Sequence, residues 1–148
     1  MSSFNYLKDN CIFAVNTSEV TATTSLARYV RGNLRLTGTK ISCNQAGCGA
    51  CVVTALVPDP ATGTKVARSV NSVRMKRSHT KATSGYRALL QCITPVLKCE
   101  GWEITTVEGL GDSQDMGTVP AALATFHGSQ CGFCSPGMVM AMNRLTNV

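Results

Sequence analysis

The sequence predicts an α+β fold, rich in short strands up to about residue 111 and helical after it. Three observations carry this expectation. Short apolar runs bounded by turn residues fill the first part of the chain. The composition changes at the glycine-rich stretch "GLGDSQDMG" (109–117). Two alanine- and methionine-rich segments with helix-start signals follow. With 44% hydrophobic residues against 15% charged, the 148 residues can bury the core of one domain or two small ones.

In chain order, "FNYLK" and "CIFAV" read as a hairpin turning at Asp9-Asn10, residues that tolerate positive φ. In "TTSLARYVRGN", Thr23 or Thr24 can cap a helix that places Leu26, Tyr29 and Val30 on one face. "ACVVTALV" is a buried strand ended by "PDPATG", and "KVARSV" alternates as its hairpin partner. "CITPVLKC" and "WEITTVEGL" read as further short strands, and Trp102 is expected at the seam between two domains. After a hinge-like "GLGDSQDMG", "VPAALATFHG" and "SPGMVMAMNRLTN" are helices, the second with Ser135 as N-cap and Pro136 at the first helical position.

No run approaches the roughly 18 apolar residues a bilayer span needs. The start "MSSFNYLKDN" carries no secretory signal pattern, so a cytoplasmic, reducing setting without a membrane is expected. In that setting cysteines serve as metal ligands more often than as disulfides. The net charge of +6 does not imply nucleic acid, because it is local. Residues 73–91, "VRMKRSHTKATSGYRALLQ", hold five basic residues and no acid, leaving 9 basic against 8 acidic elsewhere.

The chemistry sits in the cysteines. Cys43, Cys48 and Cys51 in "CNQAGCGAC" have the C-x4-C-x2-C spacing of a plant-type [2Fe–2S] loop, with a fourth cysteine downstream. Gly47 and Gly49 fit such a loop by allowing positive φ and by letting backbone N–H groups approach sulfur. Structural zinc competes, but it usually takes two separated C-x2-C pairs. The fourth ligand is Cys92 or Cys99, and the apolar neighbourhood of Cys99 suits a buried small hydrophobe, as does the predicted strand around Cys11. Cys131 and Cys134 form a second C-x2-C just before a predicted helix, whose N-terminus favours thiolate. His127, four residues before Cys131, reads as structural. "GLG" is too short for a dinucleotide fingerprint. The alternating Met138, Met140 and Met142 read as core packing with one exposed side.

"LTGTK", "CNQAGCGAC", "TTVEGLG" and "HGSQCGFCSPGMVM", in that order, resemble the N-terminal iron–sulfur region of xanthine dehydrogenases and aldehyde oxidases, with a slight lean to the latter. The resemblance implies a plant-type ferredoxin β-grasp domain over 1–111, then a helical [2Fe–2S] domain beginning at 112–148. It implies Cys43, Cys48, Cys51 and Cys92 as ligands of a first cluster, Cys131 and Cys134 as half the ligands of a second, and Gln130 beside molybdopterin. The other two second-cluster ligands belong to a C-x-C motif that these 148 residues lack, which reads as a truncated domain. The implied function is electron transfer within a molybdenum-dependent hydroxylase oxidising aldehydes or N-heterocycles. The implied partners are the FAD and molybdenum domains of a full-length homodimeric enzyme; the fragment alone is expected to be inactive. A stand-alone ferredoxin-type carrier and a zinc-binding interaction module are the alternatives.

Residues 73–91 have no counterpart in that family. Cys51 and Cys92 stand 41 positions apart, and removing the 19 residues leaves 22, close to the family separation. Val73-Arg74 and Gln91 fit the GT and AG ends of an intron translated in frame. A basic surface loop and a nuclear-localisation-like patch are the other readings.

Overall fold

A computed structural model describes residues 2–6, 12–15, 18–58, 65–66 and 87–146. Six strands form one mixed sheet: β1 (Ser2–Tyr6), β2 (Ile12–Val15), β3 (Val52–Pro58), β4 (Lys65–Val66), β5 (Arg87–Leu90) and β6 (Glu103–Thr105). The order is β2-β1-β6-β3-β4, with β5 also paired to β3. β1 runs parallel to β6, and the other pairings are antiparallel. Three helices, α1 (Leu26–Gly32), α2 (Thr118–Thr125) and α3 (Ser135–Thr146), complete an α+β chain.

The predicted hairpin is present as β1 and β2, although its turn at Asp9-Asn10 and Cys11 lie outside the described residues. α1 forms where expected and buries Leu26, Tyr29 and Val30, but its cap is Ser25. The Ser25 hydroxyl accepts from the Arg28 amide at 3.4 Å, whereas the Thr24 hydroxyl turns back to the Thr21 amide at 2.9 Å. One threonine thus closes the preceding turn, and the next hydroxyl starts the helix.

"CITPVLKC" is not a strand. Pro95 has no amide to give a ladder, and Val96–Cys99 winds into a 3₁₀ turn instead. This turn is tied to the start of α1, since the Leu26 amide donates to Thr94 O and the Val96 amide to Thr24 O. "WEITTVEGL" divides into β6 and a second 3₁₀ turn over Val107–Leu110. The main core gathers Val15, Leu26, Tyr29, Val30, Val53, Ala55, Val57, Val96, Cys99, Trp102 and Ile104. Trp102 therefore belongs to the core rather than to a seam, and Cys99 is the small hydrophobe its neighbours suggested. Burial pushes the Cys99 thiol up to about 12.

The segment set apart as an insertion, 73–91, enters the sheet before it ends. Arg87–Leu90 pair with Val52–Ala55 of β3, and Gln91 is fully buried. Residues 73–86 lie outside the described residues. "GLGDSQDMG" is a tied turn: the Gln114 and Asp115 amides donate to Asp112 Oδ1, and the Gly117 amide to Leu110 O. Gly111 has φ +109, and a Cβ there would overlap Asp115 O, so the turn needs glycine at this position.

α2 and α3 appear as expected, α3 one residue early. The Met138 amide donates to Cys134 O, which makes Cys134 the residue whose carbonyl opens the helix. α3 buries Gly137, Val139 and Met140 and packs against β3, β5 and the Val107–Leu110 turn. Met138 and Met142 stay partly exposed, so the methionine run is half core and half surface.

Candidate iron–sulfur site

The nine-residue loop from Cys43 to Cys51 joins the "LTGTK" stretch to β3. Its backbone enters the left-handed region three times, at Asn44 (φ 54), Ala46 (φ 62) and Gly49 (φ 74). For a residue such as Ala46 this conformation costs roughly 1 kcal/mol or more. Alternation of this kind turns successive amides toward one point and makes an anion-binding concavity. Here the point is Cys43 Sγ, which accepts from the Gly47 amide at 3.2 Å and the Cys48 amide at 3.4 Å. Backbone amides of Gln45, Cys48 and Gly47, in that order, lower the Cys43 thiol to about 6. At neutral pH Cys43 is therefore a thiolate, the form that binds metal.

One of the two glycines differs from expectation. Gly49 occupies positive φ, but Gly47 does not. A Cβ on Gly47 would point at Cys43 Sγ from 4.0 Å, so what Gly47 leaves open is the space beside that sulfur.

Cys51 lies at the inner end of the loop, 2% exposed, and burial pushes its thiol up to about 11. Cys92 acts on it through both its backbone and its thiol. Cys43 is likewise paired with Cys48, and Cys48 lies near enough to Cys51 to act on its charge. Cys43 and Cys48 thus act on one another, as do Cys51 and Cys92, while Cys99 lies in the core. Among the described residues, no three Cys, His, Asp or Glu side chains converge on a single metal position. The thiols form two pairs, Cys43 with Cys48 and Cys51 with Cys92.

Cys131 and Cys134 stand in an exposed loop between α2 and α3, with Gly132 at φ +80. Gln130 is exposed beside them. α2 ends in a reciprocal cap, the Gly128 amide donating to Leu123 O and the His127 amide to Ala124 O, with His127 at φ 52. This is a Schellman motif with histidine in the left-handed position, so His127 is structural.

The two cysteine loops adjoin, a relation the sequence did not reveal. Gly137, in the first turn of α3, sits against the backbone between Cys48 and Cys51. A Cβ on Gly137 would overlap Gly49 O and lie 3.0 Å from the backbone of Ala50. A further tie links two of the sequence motifs: Glu108 of "TTVEGLG" accepts from the Gly38 amide of "LTGTK" at 2.7 Å and from the Thr106 hydroxyl. The only forewarning of the first contact is a glycine within an otherwise helix-forming run.

Comparison with known proteins shows the family. The profile of the "2Fe-2S iron-sulfur cluster binding domain" family matches residues 13–97, and that of a "[2Fe-2S] binding domain" matches 106–148. Xanthine dehydrogenase of Drosophila pseudoobscura pseudoobscura is 39% identical over 140 residues, 90% of this chain and 9% of the relative. Aldehyde oxidase 1 of Oryctolagus cuniculus is 39% identical over 128 residues, 86% of this chain and 8% of the relative. The chain therefore spans under a tenth of the length of these relatives. The aldehyde oxidoreductase structure from Desulfovibrio gigas matches with TM-score 0.71 and 25% identity, over 99% of this chain and 13% of that one. The resemblance to the iron–sulfur region of these enzymes is borne out.

Proposed function

The chain belongs to the 2Fe-2S iron-sulfur cluster binding domain family, and from that premise we propose that it passes electrons within a molybdenum-dependent hydroxylase. The observation that carries this reading is the seating of Gly137 on Gly49, which places the Cys131–Cys134 loop next to the Cys43–Cys51 loop. In our reading, residues 1–111 form a ferredoxin-like β-grasp unit and 112–148 begin a helical unit around the second motif.

Cys43, Cys48, Cys51 and Cys92 hold the first cluster. Cys131 and Cys134 supply two of the four thiolates that a second cluster takes. A [2Fe–2S] cluster, when bound, supplies one-electron transfer. The residues around it set its charge and position. The amides of Gly47 and Cys48 stabilise negative charge on Cys43 Sγ, and burial at Cys51 keeps water from one side. The start of α3 directs its positive end toward the second motif.

Gln130, exposed beside Cys131, is proposed to face a molybdopterin cofactor carried elsewhere in the full enzyme. FAD and molybdenum domains, and a second copy of the enzyme, are the proposed partners. Phe126 is 81% exposed, Leu145 68% and Phe133 46%, apolar surface that further protein could cover. Among the described residues, no helix is long and apolar enough to cross a membrane.

Iron content of single variants tests the ligand set. Cys92→Ala is expected to lose the first cluster, whereas Cys99→Ala keeps it and lowers only stability. Loss of iron in Cys99→Ala, with Cys92→Ala unaffected, would reverse the assignment.

A further inference from the structure

β3 has β6 along one edge, and β4 and β5 share the other. β4 sets Val66 opposite Val57 and Lys65 opposite Pro58. Continued along β3, that register would bring Asn71 opposite Val52 and Ser72 opposite Cys51. β5 sets Leu90 opposite Val52, and so Gln91 opposite Cys51. The two registers on this one edge differ by 19 residues, the length of the basic segment 73–91, whose limits were drawn without reference to strand register. On that extension Asn71 and Ser72 would take the places that Leu90 and Gln91 hold.

Gln91 shows poor fit in its place. It is fully buried, and its Nε2 reaches Thr39 Oγ1 at 3.2 Å, but among the described residues its Oε1 has no hydrogen-bond partner. A buried carbonyl without a donor destabilises the site that holds it. The other bonds at this position are made by the backbone: the Gln91 amide donates to Cys51 O, and the Ala27 and Thr94 amides donate to Gln91 O. A serine would make all three and would bring no side-chain amide to satisfy.

We infer that β4 and β5 are two halves of one strand, split by a dispensable in-frame insertion over residues 73–91, and that Ser72 joined directly to Cys92 rebuilds the same sheet edge and the same cysteine position. The segment that carries the chain's excess basic charge is then no part of the electron-transfer unit. Cys92 owes its place beside Cys51 to strand register, not to the residues that precede it.

Two deletions in the whole chain test this. Removing 73–91 preserves register. Removing 73–90 retains Gln91, so that Gln91 and Cys92 both fall one position beyond the places they now hold at the end of β5 and in the turn after it. Unfolding of the metal-free proteins is followed together with iron bound per chain. The iron readout rests on the cluster reading above, and the unfolding readout does not. The 73–91 deletion is expected to unfold cooperatively at or above the temperature of the 148-residue chain and to bind as much iron. The 73–90 deletion is expected to melt lower and lose iron. The inference is overturned if the 73–91 deletion fails to fold, or if the two deletions behave alike.

Discussion

Gly137 and Gly49 touch backbone to backbone: the first turn of α3 rests on the loop that carries Cys48 and Cys51, and no side chain fits between them. In an exposed helix interior, glycine to alanine adds about 1 kcal/mol of stability. Here Gly137→Ala is expected to destabilise by about 1–3 kcal/mol, as an overpacked contact does. Urea unfolding measures this. A gain of the ordinary helix increment would mean that α3 does not sit on the cysteine loop.

Cys43 and Cys51 give the metal-free chain opposite pH dependences. The Cys43 thiol, lowered from 9.0 to about 6, favours the folded state above pH 9, and that contribution is lost as pH falls from 9 through 6. The Cys51 thiol, raised to about 11, favours the folded state below pH 9, and that contribution is lost as pH rises from 9 through 11. Stability should rise between pH 6 and 9 and fall above it. Cys43→Ser should flatten the rise, and an unchanged slope in that variant contradicts the thiolate assignment.

His127 occupies the left-handed position of the α2 cap. His127→Gly relieves the backbone and should stabilise by about 0.5–1 kcal/mol, with bound iron unchanged. A loss of iron would instead make His127 a ligand.

Glu108 is the only hydrogen-bond partner found for the Gly38 amide among the described residues. Glu108→Ala leaves that part-buried amide unpaired and should cost about 1–3 kcal/mol. Thermal unfolding checks it; a change below a few tenths of a kcal/mol would show that the tie between the two motifs carries no weight.

If residues 73–91 are a translated intron, transcripts joining codon 72 to codon 92 should be found by sequencing cDNA across this region. Transcripts that all carry the segment, from a gene without splice sites at its ends, exclude that origin.

The family was legible because its cysteine motifs are local. Cys43, Cys48 and Cys51 lie within one loop, and three helices announced themselves by apolar spacing and start signals. What escaped was set by contacts distant in sequence. "CITPVLKC" looked like a strand because its apolar residues outweighed Pro95, yet the missing amide and the bonds to α1 decided for a 3₁₀ turn. Trp102 was misplaced because position along the chain says nothing about which layer a residue enters. The limit drawn at 91 hid the fact that 87–91 occupy the edge of β3, a matter of register that only the paired strands reveal.

The central claim, that this chain holds a [2Fe–2S] cluster on Cys43, Cys48, Cys51 and Cys92, is tested most directly by iron, labile sulfide and zinc per chain in anaerobically purified protein, with EPR after dithionite reduction. About two irons and two sulfides with one S = 1/2 signal at this site, lost in Cys92→Ala, is the expected result. Stoichiometric zinc without sulfide or colour would contradict it.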